Sequence, residues 1–305
     1  MSRNVVSTGS LFVFVAAVLW AMDGFLRRSL YSLPPLTIVF YEHLIGLIFL
    51  LPMLFRGLKN HRLNSKDWGL MSVISLLSGL LGTVMFTAAL VQVNFISLSV
   101  VYLLQKLQPL FAISSARILL QEQINKYYAF WALLAILSAY FVTFKNGYVN
   151  FDTGAGTINA VLLALGAAAA WGTSTTFSKM MLNKYPDSLI TALRFGLTTV
   201  FGFVAVLLLG NIGSLSQPDA SQFFRFVVIA LSTGMVALYL YYKGLKQIPA
   251  KVSTIIELTF PFLVIVVDSF VYGTRLDWSQ YLAAVILMLS MYQVSKTETM
   301  KKLNN

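Results

Sequence analysis

The sequence predicts an all-α membrane protein: ten transmembrane helices in two inverted five-helix repeats, with both termini cytoplasmic. Three observations carry that prediction. The composition is apolar, the hydrophobic runs have spanning length, and the pattern returns after about half the chain. Of the 305 residues, 58% are hydrophobic and only 11% are charged, where soluble domains carry about 25% charged residues. The charges gather at the ends of the apolar runs, as expected when each helix must offer roughly 20 apolar residues to a bilayer core. No hydrophilic block is long enough for a separate soluble domain. The chain therefore reads as one integrated membrane domain with halves at 1–150 and 151–305.

The net charge of +11 would suggest a nucleic-acid partner in a soluble protein. Here the basic residues sit in short loops between apolar runs, where they set topology, so no nucleic acid is expected. The absence of cysteine excludes disulfides, thiolate zinc sites and cysteine nucleophiles.

Candidate spans run over 10–30, 35–55, 68–90, 97–119, 127–145, 157–178, 187–209, 222–242, 252–272 and 279–295. The run from Leu11 has the hydrophobicity of a signal peptide but no small-residue cleavage pattern, and it reads as the first helix. With a cytoplasmic N-terminus, inner segments hold 15 of the lysines and arginines and outer ends hold 5. That asymmetry places both termini inside. Trp68, Trp131 and Trp278 fall near span ends, as interfacial anchors do.

The two halves repeat. The segment AAVLWAM around Trp20 matches AAAAWGT around Trp171, a shift of 151 residues. Arg28 then falls on Lys179, Pro35 on Pro186 and His43 on Arg194. QKLQPLF (Gln105 to Phe111) matches ELTFPFL (Glu257 to Leu263) at a shift of 152, with Pro109 on Pro261. Five spans per half is an odd number, so the second half enters the membrane in the opposite direction. Inverted repeats of this kind place a substrate site near the midplane between the halves and suit alternating access.

On these residues the sequence resembles the EamA type of the drug/metabolite transporter superfamily. The resemblance rests on the AAVLW and AAAAWG openings, on SLSVVYLLQKLQPLFAISSARILLQEQI, and on its echo STIIELTFPFLVIVVDSFVYGTRL. Glu122 matches the family's acidic residue at the end of the fourth span, whereas Thr274 stands at the equivalent position of the second half. The resemblance implies a ten-helix carrier in the inner membrane, exporting amino acids, related metabolites or drugs, as a monomer or a homodimer. It also implies that spans 5 and 10 are peripheral while the other eight surround the cavity.

Ionisable residues within spans are costly, by about 2.5–3.5 kcal/mol on insertion scales, and face cavities or partners. They are Asp23, Glu42, His43, Lys106, Arg194, Glu257 and Asp268. Heights along the spans, at about 1.5 Å per residue, predict two pairs. Glu42 would meet Lys106 above the midplane, and Arg194 would meet Glu257 below it. Each pair is either a gate opened by substrate or a structural tie. His43 is the candidate for proton coupling or an interhelical hydrogen bond. Asp23 is expected to pair with Arg27 one turn later, and Asp268 to be interfacial. Trp20 and Trp171 can wall a flat substrate or simply pack, and Tyr102 shares a face with Lys106. Pro109 and Pro261 each remove a helix hydrogen bond and are expected to bend their helices. The stripes Ser75, Gly79, Thr83 and Ala160, Ala164, Ala168 read as close helix packing.

An enzyme is not expected: no His-Glu-x-x-His helix, Gly-x-Ser-x-Gly elbow or Walker loop occurs. No cofactor or metal is called for. A channel or a lipid flippase is the alternative class. Charges of both signs beside aromatics favour an amino-acid-like substrate.

Overall fold

A computed structural model describes residues 3–92, 98–108, 110–111, 114, 126–148, 155–248, 253, 256–257, 259–273 and 275–303. Among them, the helices in chain order are α1 (Arg3–Arg28), α2 (Pro35–Asn60), α3 (Ser65–Val91), α4 (Leu98–Gln105) and α5 (Lys126–Thr143). The second half holds α6 (Ala155–Lys184), α7 (Asp187–Leu208), α8 (Ala220–Gln247), α9 (Thr259–Tyr272) and α10 (Trp278–Leu303). Six of them, α1, α2, α3, α6, α7 and α8, are long and apolar enough to cross a membrane, and α5 and α10 hold shorter apolar stretches. Several helices outrun the apolar windows from which they were predicted. α2 continues to Asn60 and α6 to Lys184, because a helix keeps its backbone bonds beyond the point where its side chains stop being apolar.

Local chemistry sets the boundaries. Pro35 opens α2 at its first position, where a missing N–H costs nothing, and Pro186 precedes α7 at the matching point. The third helix of each half opens on an Asx cap. Asn64 accepts from the Asp67 N–H at 2.8 Å, and Asp219 forms a capping box with Gln222. α7 ends in a Schellman motif: Gly210, at φ 67°, sends its N–H to Leu207, and the Asn211 N–H reaches Val206.

The pairing of helices follows the repeat. α2 packs along α7 and α5 along α10, each helix against its own equivalent, while α1 packs on α8 and α3 on α6. The α2–α7 pair is antiparallel: Gly57 lies against Leu189, Gly46 against Phe195, and Thr37 bonds Ser214 at 2.7 Å. α5 and α10 are antiparallel too, with Tyr127 on Gln293 and Gln280 on Val142. Equivalent helices running in opposite directions are what inversion requires. Both third helices also carry a π-helical turn, at Ser75–Leu81 in α3 and Ala230–Gly234 in α8.

Two large apolar clusters and two smaller ones result among the described residues, and the large ones divide the helices between them. One joins α4, α5, α9 and α10 with parts of α1, α3 and α6. The other joins α2, α7 and α8 with the rest of α1, α3 and α6. Tight crossings need glycine: a Cβ on Gly244 would lie 2.6 Å from the Gly9 carbonyl, which fixes how closely α1 and α8 approach. Asp268, expected at the interface, is instead buried at 3% exposure.

Where α3 begins and α6 ends, Lys184 bonds Asp67 at 2.8 Å and Tyr185 donates to the same carboxylate at 2.7 Å. That carboxylate raises the Tyr185 phenol above its ordinary value. Between the end of α5 and the start of α10, Lys145 lies 3.2 Å from Asp277. Partial burial pushes the Asp277 carboxyl up, but the Ser279 N–H and the Lys145 ammonium outweigh it and hold it below the usual range.

Candidate functional site

One cavity of about 970 Å³, its mouth included, lies where the halves meet. Its described lining comes from α1–α4 and α6–α8 together with Glu257 and Phe260 of the ninth-span segment, while α5 and α10 contribute none of it. The eight residues singled out as substrate or gate contacts, Trp20, Glu42, His43, Tyr102, Lys106, Trp171, Arg194 and Glu257, all line this cavity. Pro109 and Glu122 lie outside the described residues, as does Thr274; Pro261 falls in the first turn of α9.

The ion pairs differ from those predicted from height. Glu42 meets Arg27 at 2.6 Å, not Lys106. Arg27 also meets Asp23 at 2.5 Å, the i,i+4 pairing expected within α1. Thr233, in the π turn of α8, donates to the other Asp23 oxygen at 2.5 Å. A buried trio thus ties α1, α2 and α8 together. Lys106 instead faces Glu257 at 3.8 Å and sits over the Phe260 ring at 3.7 Å. The reason is azimuth. Arg27 points back along α1 into the bundle, and α4 packs against α9, so the nearest acid to Lys106 is on the ninth-span segment.

Arg194 has no carboxylate within 4 Å among the described residues. It donates to the Tyr242 hydroxyl at 2.9 Å and to the Ser78 carbonyl at 3.1 Å. That carbonyl is free because of the π turn. The Gly82 N–H, its ordinary helical partner, bonds to Leu77 instead. Ser78 consequently accepts from the Trp171 indole at 2.8 Å and the Thr83 hydroxyl at 3.1 Å as well. The neighbouring Gly79 lets α3 seat against Thr198 of α7. The small-residue stripe therefore does more than pack helices: it opens a backbone acceptor onto the cavity.

Tyr102 makes a comparable insertion. Its hydroxyl accepts from the Gly24 N–H at 2.7 Å and lies 3.4 Å from the Trp20 carbonyl, the two ends of one rung of α1. His43 bonds the Val39 carbonyl through Nδ1 at 2.8 Å, within its own helix, and its ring lies 4.8 Å from Phe195. A carbonyl only accepts, so Nδ1 carries the hydrogen. The rest of the wall is aromatic. Trp20 and Tyr241 lie 5.0 Å apart, Phe86 and Trp171 5.3 Å, and Tyr102 and Phe260 5.4 Å between ring centroids. Sequence reasoning placed Arg27 only as the partner of Asp23 and missed Phe86, Tyr241, Tyr242 and Thr233. Only Arg27 had a signal, four residues after Asp23. The others are ordinary residues of apolar helices.

Comparison with known proteins agrees with this architecture. The model of the EamA-like transporter family matches residues 7–144 and again residues 158–296. The riboflavin transporter ImpX of Fusobacterium nucleatum is 38% identical over 94% of this chain and 97% of its own. An uncharacterised transporter of Bacillus subtilis, YwfM, is 24% identical over 96% and 95%. Protein LicB of Haemophilus influenzae is 25% identical over 83% and 85%. A solved crystal structure at 16% identity superposes on 98% of this chain and 99% of its own with a TM-score of 0.66, a likeness of fold alone. Matched in both halves, and aligned almost end to end with a named transporter, this chain belongs to the EamA-like transporter family.

Proposed function

We propose that this transporter carries a flat heteroaromatic metabolite of the riboflavin type across the cytoplasmic membrane by alternating access. The observation that carries the reading is the cavity wall. Trp20, Phe86, Tyr102, Trp171, Tyr241 and Phe260 surround a midplane space with ring faces and edges. Such walls stack on planar ligands. The riboflavin transporter of F. nucleatum, similar over nearly the whole chain, supports the same substrate. An amino-acid-like substrate is the weaker reading. It needs a free cation and a free carboxylate, and Asp23, Glu42 and Glu257 are each paired already.

Inversion supports alternating access, since each half can take the other's shape. In this reading there are ten spans in halves 1–150 and 151–305, with Pro109 and Pro261 as bends. The loop charges, 15 inner against 5 outer, support cytoplasmic termini. The trio around Arg27 then closes the outer side of the cavity, and Arg194 with Tyr242 lines the inner side.

The test is retention in liposomes. Purified protein is reconstituted into vesicles loaded with riboflavin and a mixed metabolite pool, with and without a pH gradient. Selective flavin loss, diminished by Trp171→Ala or Tyr241→Ala, supports the reading, and dependence on the gradient would point to His43. Retention equal to protein-free vesicles, with folded protein, would sink it.

A further inference from the structure

Three formally charged cations face the cavity among the described residues, and they are not equivalent. Arg27 is saturated by two carboxylates at 2.5 and 2.6 Å. Lys106 has Glu257 and the face of Phe260. Arg194 has neither. Its Nη1 and Nη2 donate to neutral oxygens, and its Nε–H is buried with no acceptor among the described residues. A guanidinium is a planar fork of five N–H donors that matches paired acceptors. A buried donor left unpaired is unfavourable.

The surroundings hold this fork in a fixed plane. Tyr242, which accepts from Nη1, donates in turn to Ser178 of α6 at 3.2 Å. The Ser78 carbonyl takes Nη2 and the Trp171 indole together. One backbone oxygen therefore sets both an aromatic wall and the guanidinium beside it.

We infer that Arg194 is the specificity-determining residue of the cavity, donating through its free N–H to adjacent acceptors on the edge of a planar heteroaromatic ring. The chemistry is that of a carbonyl beside a ring nitrogen, as on the pyrimidine edge of a flavin. The inference rests on the riboflavin-type reading and adds which end of the molecule is read. The ring's acceptor edge lies at Arg194, and any polyol chain lies elsewhere.

The test compares riboflavin with lumiflavin, which has the same ring with a methyl group in place of the ribityl chain. Binding to the full-length protein in detergent is followed by quenching of flavin fluorescence. Arg194→Gln removes the charge, and Arg194→Lys keeps it without the fork. Melting curves identify folded variants, and Arg194→Lys serves alone if the glutamine variant does not fold. Loss of one charge-assisted bond predicts weakening of about ten- to a hundredfold. The expected result is the same factor for both flavins and in both variants. Weakening for riboflavin alone would place Arg194 at the ribityl chain and overturn the inference, as would affinities within about twofold of the unmodified protein. If the unmodified protein binds neither flavin, the substrate reading itself falls and takes the inference with it. A loss confined to the variants falls on Arg194 alone.

Discussion

Removing Arg27 tests whether the buried trio is held by charge. Arg27 lies between Asp23 and Glu42, and the three residues are only 3–6% exposed. With one cation between two acids, the trio's formal charge is −1. Arg27→Met preserves much of the aliphatic stem and leaves two carboxylates facing each other without their counter-ion. Breaking a buried pair from one side costs about 3–5 kcal/mol, or roughly two to four powers of ten in the folding equilibrium. Neutralising all three positions at once, as Asp23→Asn, Arg27→Met and Glu42→Gln, removes the stranded charge, and such replacements are often close to neutral. Thermal unfolding in mild detergent should therefore rank the unmodified protein and the triple variant together, with Arg27→Met well below both. A single variant that melts like the parent, or a triple variant no better than the single, would refute the reasoning.

Three further outcomes follow from the geometry. Tyr102→Phe removes the hydroxyl inserted beside Trp20 and lets that rung of α1 close on itself. It should cost no more than about 1.5 kcal/mol by melting yet slow transport in vesicles. Gly79→Ala drives a Cβ into the Thr198 side chain, whose own Cβ would lie 3.0 Å away. A loss of about 1–3 kcal/mol is expected, partly recovered by adding Thr198→Ala. Asp277, held below the usual carboxylate range in the folded protein, contributes stability above its unfolded value that is lost as the pH falls through the folded value. The melting difference between the parent and Asp277→Asn should therefore be present at neutral pH and vanish in acid.

The repeat was legible because residue identity recurs. Trp20 and Trp171 line the same cavity, and Pro35 and Pro186 open equivalent helices. The ion pairs were not legible. Rise per residue gives height along a helix, but pairing also needs azimuth and neighbours, and these come from packing. Glu42 therefore reached Arg27, already paired with Asp23 in its own helix, and Lys106 reached Glu257. The π turns left a trace that composition alone does not flag. Ser78-Gly79 and Thr233-Gly234 recur in the third helix of each half, small residues where an acceptor is freed or a carboxylate comes close. A Cβ on Gly234 would lie 2.7 Å from the Glu42 carboxylate, so that glycine is fixed by the trio.

The Tyr102 hydroxyl in the rung between Trp20 and Gly24 also makes α1 a lever. The fulcrum lies beside a cavity wall, and Gly9 sits 15 residues away along the helix, roughly 22 Å at the helical rise. A swing of about 10° at the fulcrum carries Gly9 about 4 Å, more than the gap that lets it touch Gly244. If the carrier works by alternating access, a displacement of α4 small enough to leave the aromatic wall intact would be geared up into parting the far seam between α1 and α8.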